Sequence, residues 1–253
     1  MVNLCIVGRP KSKAVTRIVN STPLSRYTKF CDAVVNYGLA GTRLDNFSAK
    51  HASFKSQPTI NKFIGCNKYR AVKDAETAKI LVPKTLLSLN KSDNKTDFLT
   101  KKFHSQGGIG IDLATTTSKL KGKYYQEFIN DRRYELRVHS FLWLDAKDWL
   151  IQKRFGKDGE IAWNYHNGGR FQTIKNPNGY EIFNKAKEIT IEILKMRNMA
   201  FGAVDFILSS SGKLYFIEIN SAPGFTELSE GMYVKAFNTL ANKPKKDVLK
   251  YCR

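Results

Sequence analysis

Residues 213–225 read KLYFIEINSAPGF, an apolar run carrying a carboxylate at Glu218 and a carboxamide at Asn220 before Pro223 and Gly224 end it. Side chains alternate along a strand, so Glu218 and Asn220 are expected on one face and Ile217 and Ile219 on the other. Just upstream, AVDFIL sets Asp205 between Val204 and Phe206, and the intervening SSSGK has the composition of a tight turn. The two runs therefore predict a hairpin presenting Asp205, Glu218 and Asn220. Carboxylates on an apolar hairpin are costly without a counter-charge. Two carboxylates and an amide form an oxygen-only donor set that suits Mg²⁺, with Mn²⁺ as an alternative ion, and Mg²⁺ leaves its other positions to phosphate oxygens and water. The metal is thus expected to arrive with a nucleotide.

Working outward, YYQEFI, RYELRVHSFLW and DWLIQKRF are dense in aromatic and branched residues with turn residues between them, which predicts antiparallel strands. Alternation in YELRVH puts Glu135, Arg137 and His139 opposite Leu136 and Val138. Residues 180–197 carry Ile182, Ala186, Ile189 and Ile193 at helical spacing. Residues 67–80, NKYRAVKDAETAKI, predict another helix, ended by Val82-Pro83, with KTLLSL as a strand after it. In DFLTKKFHSQGGIGIDL a short strand runs into Gly107, Gly108 and Gly110 behind Lys101 and Lys102. Such glycines let backbone N–H groups close on phosphate, although the spacing matches neither GxxxxGK[ST] nor GxGxxG. The first sixty residues hold the strand-like runs LCIVG and DAVVNYG around a long basic loop, consistent with a small α/β unit.

The chain has 253 residues, 42% of them hydrophobic, which is enough for a substantial core. Its runs are too short to span a bilayer, and MVNLCIVGRPKSK is wrongly flanked for a secretory signal, so a cytoplasmic protein is expected. Cys5, Cys31, Cys66 and Cys252 are far apart without a CxxC pair, and free thiols are expected. The four histidines are equally scattered, and structural or surface roles are expected for them. Forty-two Lys and Arg against 22 Asp and Glu give a net charge of +20, which points to a polyanionic partner or to a lysine-rich solvated surface.

Taken in order, these segments resemble the ATP-grasp ligases, and within them the RimK-type branch that joins amino acids to acceptor carboxylates. The likeness runs from Asn67 to Phe225: NKYRAVKDAETAKILVPKT resembles the entry helix and strand, TKKFHSQGGIGI the lysine and glycine-rich loop, and YYQEFI the adenine hinge. YELRV resembles the acidic-x-Arg strand, NYHNGG the asparagine loop, and VDFI with YFIEINSAPG the metal hairpin.

The resemblance implies an α+β ATP-grasp fold, two subdomains clasping ATP, after a short N-terminal α/β unit. The expected divisions are 1–62 for that unit, 63–127 and 128–230 for the clasping halves, and 231–253 for a basic tail or helix. It further implies that Lys101, Lys68 and the loop glycines Gly108 and Gly110 contact phosphates, and that Gln126, Glu127, Phe128 and Ile129 read adenine, Glu127 and Phe128 through main-chain groups. Glu135 stands where the family has an aspartate near the ribose. Arg137 would stabilise the transferring phosphoryl group, Asn164 would face the γ-phosphate, and Asp205, Glu218 and Asn220 would hold Mg²⁺. The family arginine two residues before the asparagine is replaced by Ala162, so Lys153, Arg154 or Arg170 would supply that charge.

The implied activity is amide formation between a carboxylate and an amine or amino acid, driven by ATP, with an acidic protein or nucleic acid as acceptor. Two other readings are a basic nucleic-acid-binding or virion-associated protein on a degenerate scaffold, and a kinase that stops at phosphoryl transfer. Without the resemblance, Glu135 and Arg137 would read as a cross-strand ion pair. The run from Arg9 to Lys29, with six basic residues and no acid, would either dock the anionic substrate or form a solvated loop.

Overall fold

The computed structural model describes every residue except 1, 63, 66, 106–108, 158–159, 164–167, 225–226 and 253. Three sheets form in chain order. The first is parallel: β1 (Leu4–Gly8), β2 (Ser25–Arg26), β3 (Ala33–Tyr37) and β4 (Thr59–Ile60) lie in the order β2-β1-β3-β4. Helix α1 (Lys13–Ser21) links β1 to β2, and α2 (Thr42–Lys50) lies between β3 and β4.

Helix α1 corrects the expectation of a long loop. The Ser12 hydroxyl accepts the Val15 N–H at 3.3 Å, capping the helix, and Val15 and Ile18 are buried, so a short apolar stripe outweighs the basic composition. The cysteine expectation is corrected too. Cys5 and Cys31 are disulfide-bonded, with a Cα–Cα distance of 5.8 Å, among Val7, Val34, Leu39 and Phe54. Cys252 is a free thiol, pushed up to about 11 by burial, and Cys66 lies outside the described residues.

After the parallel sheet comes α3 (Lys68–Thr77), whose Asn67 side chain caps it by accepting the Arg70 N–H at 3.0 Å. The second sheet is small and antiparallel: β5 (Thr85–Leu86), β6 (Phe98–Lys102), β7 (Asp112–Leu113) and β8 (Lys123–Glu127), in the order β5-β8-β6-β7. Only Thr85 and Leu86 of KTLLSL pair as strand.

The third sheet is built around β9 (Arg132–Phe141), with β10 (Leu150–Phe155) and β11 (Arg170–Thr173) on one side and β12 (Phe201–Ser209) and β13 (Leu214–Asn220) on the other. Leu136, Val138, Ile151, Val204, Phe206 and Phe216 cover one face and pack on Phe183, Ala186, Ile193 and Leu194 of α4 (Glu181–Met196). That burial fixes the polar residues of the same strands on the opposite face.

Register within the β12–β13 hairpin changes at Asp205: Asp205 opposes Glu218, but Phe206 opposes Phe216, which leaves Ile217 as an extra residue. The bulge turns Ile217 toward the face that Glu218 occupies, correcting the simple alternation. Helices α5 (Glu227–Ala241) and α6 (Lys245–Leu249) then return to the parallel sheet. Tyr233, Ala236, Phe237, Leu240 and Val248 share one core with Leu4, Ile6, Val35 and Tyr37 and with Phe141, Trp143 and Phe201.

Candidate active site

The polar face of the third sheet, the second sheet and the start of α3 enclose a cleft of about 440 Å³. Its apolar slot is Ile129, Ile207 and Ile217, and Ile217 reaches it only because of the bulge. Beside the slot, the Glu127 N–H donates to Lys84 O and the Phe128 N–H to Asp97 O, both at 2.8 Å. The Glu127 carboxylate accepts the Lys84 N–H at 2.9 Å. These contacts tie the hinge to the neighbouring chain and engage the Glu127 and Phe128 main-chain N–H groups.

Charge is concentrated at the slot's inner end. Arg137 and Asp205 are directly opposed on β9 and β12, and the guanidinium donates two hydrogen bonds of 2.7 Å to the carboxylate. Burial alone would lower the arginine's pKa, but the Asp205 charge and hydrogen bonds outweigh it and raise it. Glu135 accepts from Arg132 at 3.2 Å and from Arg154 Nε at 2.6 Å, and Arg132 also stacks 4.3 Å from the Trp163 ring. Glu135 and Arg137 are therefore each in a cross-strand ion pair, with Arg154 and Asp205 respectively and not with each other.

Lys68 Nζ lies 2.5 Å from Glu218 Oε2, and the Asn220 amide donates to Glu218 Oε1 at 3.2 Å. Burial would raise the Glu218 pKa, and Lys68, Lys101 and Arg137 reverse this and pull it far below the usual carboxylate range. Lys101 is buried, donates to Gln126 Oε1 at 2.8 Å, and is pushed down to about 8 by burial, an effect Glu218 opposes and Lys68 reinforces. Gln126 in turn donates to Thr85 Oγ1 at 3.2 Å.

Of the residues singled out from sequence, Lys68, Lys101, Gln126, Glu127, Phe128, Ile129, Glu135, Arg137, Asp205, Glu218 and Asn220 all line this cleft. Lys153 does not. Its ammonium lies 4.4 Å from the Tyr134 ring and 5.7 Å from that of Phe183, on the helix side of the sheet, while Arg154 faces the cleft. Arg170 is exposed outside the cleft, and its neighbour Phe171, opposite Arg154, lines it. Gly110, at φ +75°, packs on Lys102, where an added Cβ would come within 2.8 Å of the lysine chain, and it does not line the cleft. Gly108 and Asn164 lie outside the described residues.

Among the described residues no three of His, Cys, Asp and Glu cluster as a metal site, and the candidate set is Asp205, Glu218 and the Asn220 amide. The chemistry of that set fits a hard divalent cation: all three donors are oxygen, on adjacent strands of one hairpin, and two are carboxylates already offset by Lys68 and Arg137.

Residues 164–246 match the family described as D-ala D-ala ligase C-terminus. A D-alanine–D-alanine ligase of Aquifex aeolicus (strain VF5) is 38% identical over 155 residues, covering 56% of this chain and 51% of that one. The chain thus spans about half the length of that curated relative. Solved structures reach further. The D-alanine–D-alanine ligase from Bacillus anthracis complexed with ATP superposes with a TM-score of 0.64 at 13% identity, covering 99% of both chains. A Chryseobacterium gregarium RiPP-associated ATP-grasp ligase, in complex with ADP and a leader and core peptide, gives 0.64 at 13%, covering 96% of this chain and 98% of its own. The chain has the ATP-grasp fold.

Within this ATP-grasp fold, sequence reasoning did not single out Arg132, Trp163 and Phe171, or the slot formed by Ile207 and Ile217. For Phe171 the available signal was its place two residues after Gly169 in a strand whose alternate residues must face the cleft. The slot isoleucines depend on a bulge that alternation does not reveal. No described helix is long and apolar enough to cross a membrane.

Proposed function

We propose that the chain is an ATP- and Mg²⁺-dependent carboxylate–amine ligase that forms an amide through an acyl phosphate. The observation that carries this is the single cleft in which a hydrophobic slot, a buried lysine, a bidentate Arg137–Asp205 pair and the Glu218–Asn220 donors meet. A matched relative that couples D-alanine to D-alanine supports the bond type. The divisions 1–62, 63–127, 128–230 and 231–253 are carried as the organisation that serves it.

The slot residues Ile129, Ile207 and Ile217 would hold a purine, with main-chain groups of the Glu127–Ile129 stretch at its edge. Lys101 and Lys68 would bind phosphate oxygens, and of the three candidates Lys153, Arg154 and Arg170, Arg154 would supply the charge at the γ-phosphate. Mg²⁺ held by Asp205, Glu218 and Asn220 would neutralise phosphate charge and fix the chain of phosphates. The substrate carboxylate attacks the γ-phosphorus, the bond to the β-phosphate oxygen breaks, and ADP leaves. The amine then attacks the acyl carbon, phosphate departs with the C–O bond, and the amine's proton passes to solvent or phosphate. Arg137 and Lys101 stabilise charge on the equatorial oxygens during the first step, and burial keeps water from the acyl phosphate.

The RimK-type branch is a finer reading that rests on the motif order alone. The relatives reported above are a D-alanine–D-alanine ligase and a ligase bound to a leader and core peptide, which supports a peptide or protein acceptor over a nucleic acid. The test is incubation with ATP, Mg²⁺, mixed amino acids and peptide, protein or nucleic-acid pools. ADP release that requires an amine, with mass gained by one pool, is expected. ADP release indifferent to amines would instead identify a kinase.

A further inference from the structure

The second sheet turns one face to the cleft, and strand register says which residues share it. Leu99 and Lys101 on β6 and Gln126 on β8 line the cleft. Leu99 opposes Gln126 and Lys101 opposes Tyr124, so alternation puts Tyr124 on that same face, beside Lys101. Its neighbour Tyr125 points the other way, into Leu89, Phe98 and Ala114, and its hydroxyl donates to Ser118 O at 2.6 Å. Tyr124 is fully buried, yet among the described residues its hydroxyl has no hydrogen-bond partner.

Packing fixes the ring in this place. It lies 5.6 Å from the Tyr69 ring and stacks at 5.9 Å on that of Phe103. Tyr69 follows Lys68 at the start of α3, and the Lys68 N–H donates to Phe103 O at 3.0 Å, so one knot of backbone and rings joins Tyr124, Lys68 and Lys101. Burial raises the Tyr124 pKa and the charge of Glu218, the carboxylate that pairs with Lys68, raises it further, so the phenol keeps its proton and remains a donor. A buried hydroxyl without a partner destabilises the free protein. Lys101 and Lys68 would draw anionic oxygens to this end of the cleft, and such an oxygen would accept the hydrogen bond that the phenol offers.

We infer that Tyr124 is a third phosphate-binding group, its hydroxyl donating to a phosphate oxygen that Lys101 and Lys68 hold. This rests on the ATP-binding part of the ligase reading and adds to it a neutral donor on the second sheet. The free protein carries the cost of the unmade bond and the complex does not, so removing the hydroxyl acts with opposite sign on stability and on binding. Tyr124→Phe removes it while keeping the ring and its packing. In the nucleotide-free protein the urea midpoint of Tyr124→Phe should not fall below that of wild type, whereas loss of a hydroxyl already partnered would lower it.

Isothermal titration of wild type and Tyr124→Phe with a non-hydrolysable ATP analogue, inorganic tripolyphosphate and adenosine, each with Mg²⁺, completes the test. A loss of about 10- to 100-fold in affinity is expected for the analogue and for tripolyphosphate, and none for adenosine. Unchanged affinity for the analogue, an equal loss for adenosine, or a urea midpoint that falls would overturn the Tyr124 assignment and leave the ligase reading standing. Wild type that binds tripolyphosphate as well as the analogue and does not bind adenosine, with tripolyphosphate lost in Tyr124→Phe, would keep the assignment and sink the nucleotide reading. Wild type that binds neither phosphate probe would overturn both.

Discussion

Raising the pH should release ATP, and Lys101 sets where. The residue is 7% exposed, and its ammonium is hydrogen-bonded to Gln126 and pushed down to about 8 by burial. Bound phosphates supply the negative charge the site lacks and would hold the ammonium protonated well above that value. Binding to the free protein then requires a proton whenever Lys101 has lost its own. With a midpoint near 8, roughly three quarters of the lysines are charged at pH 7.5 and about 3% at pH 9.5. ATP affinity should therefore fall about 20-fold across that range, close to 2 kcal/mol.

Isothermal titration with a non-hydrolysable analogue measures this, since phosphates are fully ionised throughout. Lys101→Arg, which stays charged, should flatten the profile, and Lys101→Met should bind weakly and also be flat. Stability of the free protein should move the other way. Between the folded value of about 8 and the unfolded 10.5 the unfolded chain holds the proton and the folded chain does not, so stability rises with pH in that window. Parallel pH profiles for wild type and Lys101→Met would refute the assignment.

Glu218→Gln keeps the shape of the hairpin and removes one charge from the metal donors, so ADP release should fall by about 10²- to 10³-fold with the circular dichroism spectrum unchanged. ADP release at the wild-type rate would remove Glu218 from the site. Arg137→Met leaves Asp205, 1% exposed, with Arg154 at 3.5 Å as its remaining basic partner among the described residues, and should cost about 3–5 kcal/mol in urea unfolding; an unchanged midpoint would show that Asp205 does not depend on Arg137. His139 is buried between Tyr233 Oη at 2.9 Å and Gln152 Oε1 at 3.0 Å, and burial, with Arg137, lowers it to about 4. The native form is neutral, so its contribution is complete above 6.5 and is lost as the pH falls toward 4, roughly 3 kcal/mol in total. His139→Gln should reduce that acid sensitivity, and an unchanged slope of stability between pH 7 and 5 would contradict it.

The hairpin, β9 and α4 were legible because each sends residues at regular spacing into the core between the third sheet and α4, Val204 and Phe206, Leu136 and Val138, Ala186 and Ile193, and such packing writes a period of two or 3.6 into the sequence. Asp205 and Arg137 were found separately, yet their pairing depends on the β9–β12 register, which no local pattern contains. Lys153 and Arg154 show the same limit. In LIQKRF both faces carry apolar residues, so alternation alone cannot say which of the two neighbours faces the cleft, and the Ile151–Val138 and Arg154–Glu135 pairings decide it. Helix α1 was missed for a different reason: at nine residues, set within a basic run, its stripe of Val15 and Ile18 is too short to stand out from a loop. The bulge at Ile217 is a tertiary solution, needed to bring an apolar wall and a carboxylate to one face in consecutive residues.

The core shared by the parallel sheet with α5 and α6 has a consequence for how the protein is made. Leu4, Ile6 and Val35 are covered by Tyr233, Phe237, Leu240 and Val248, and Ile60 is bridged to Cys252, nearly two hundred residues later in the chain. On the ribosome the first sheet must wait, its apolar face open, until residues 233–252 emerge. Holdase chaperones that cover exposed apolar strands are the natural guardians of that interval, and ribosome-bound fragments ending before residue 230 should be protease-sensitive in residues 2–60.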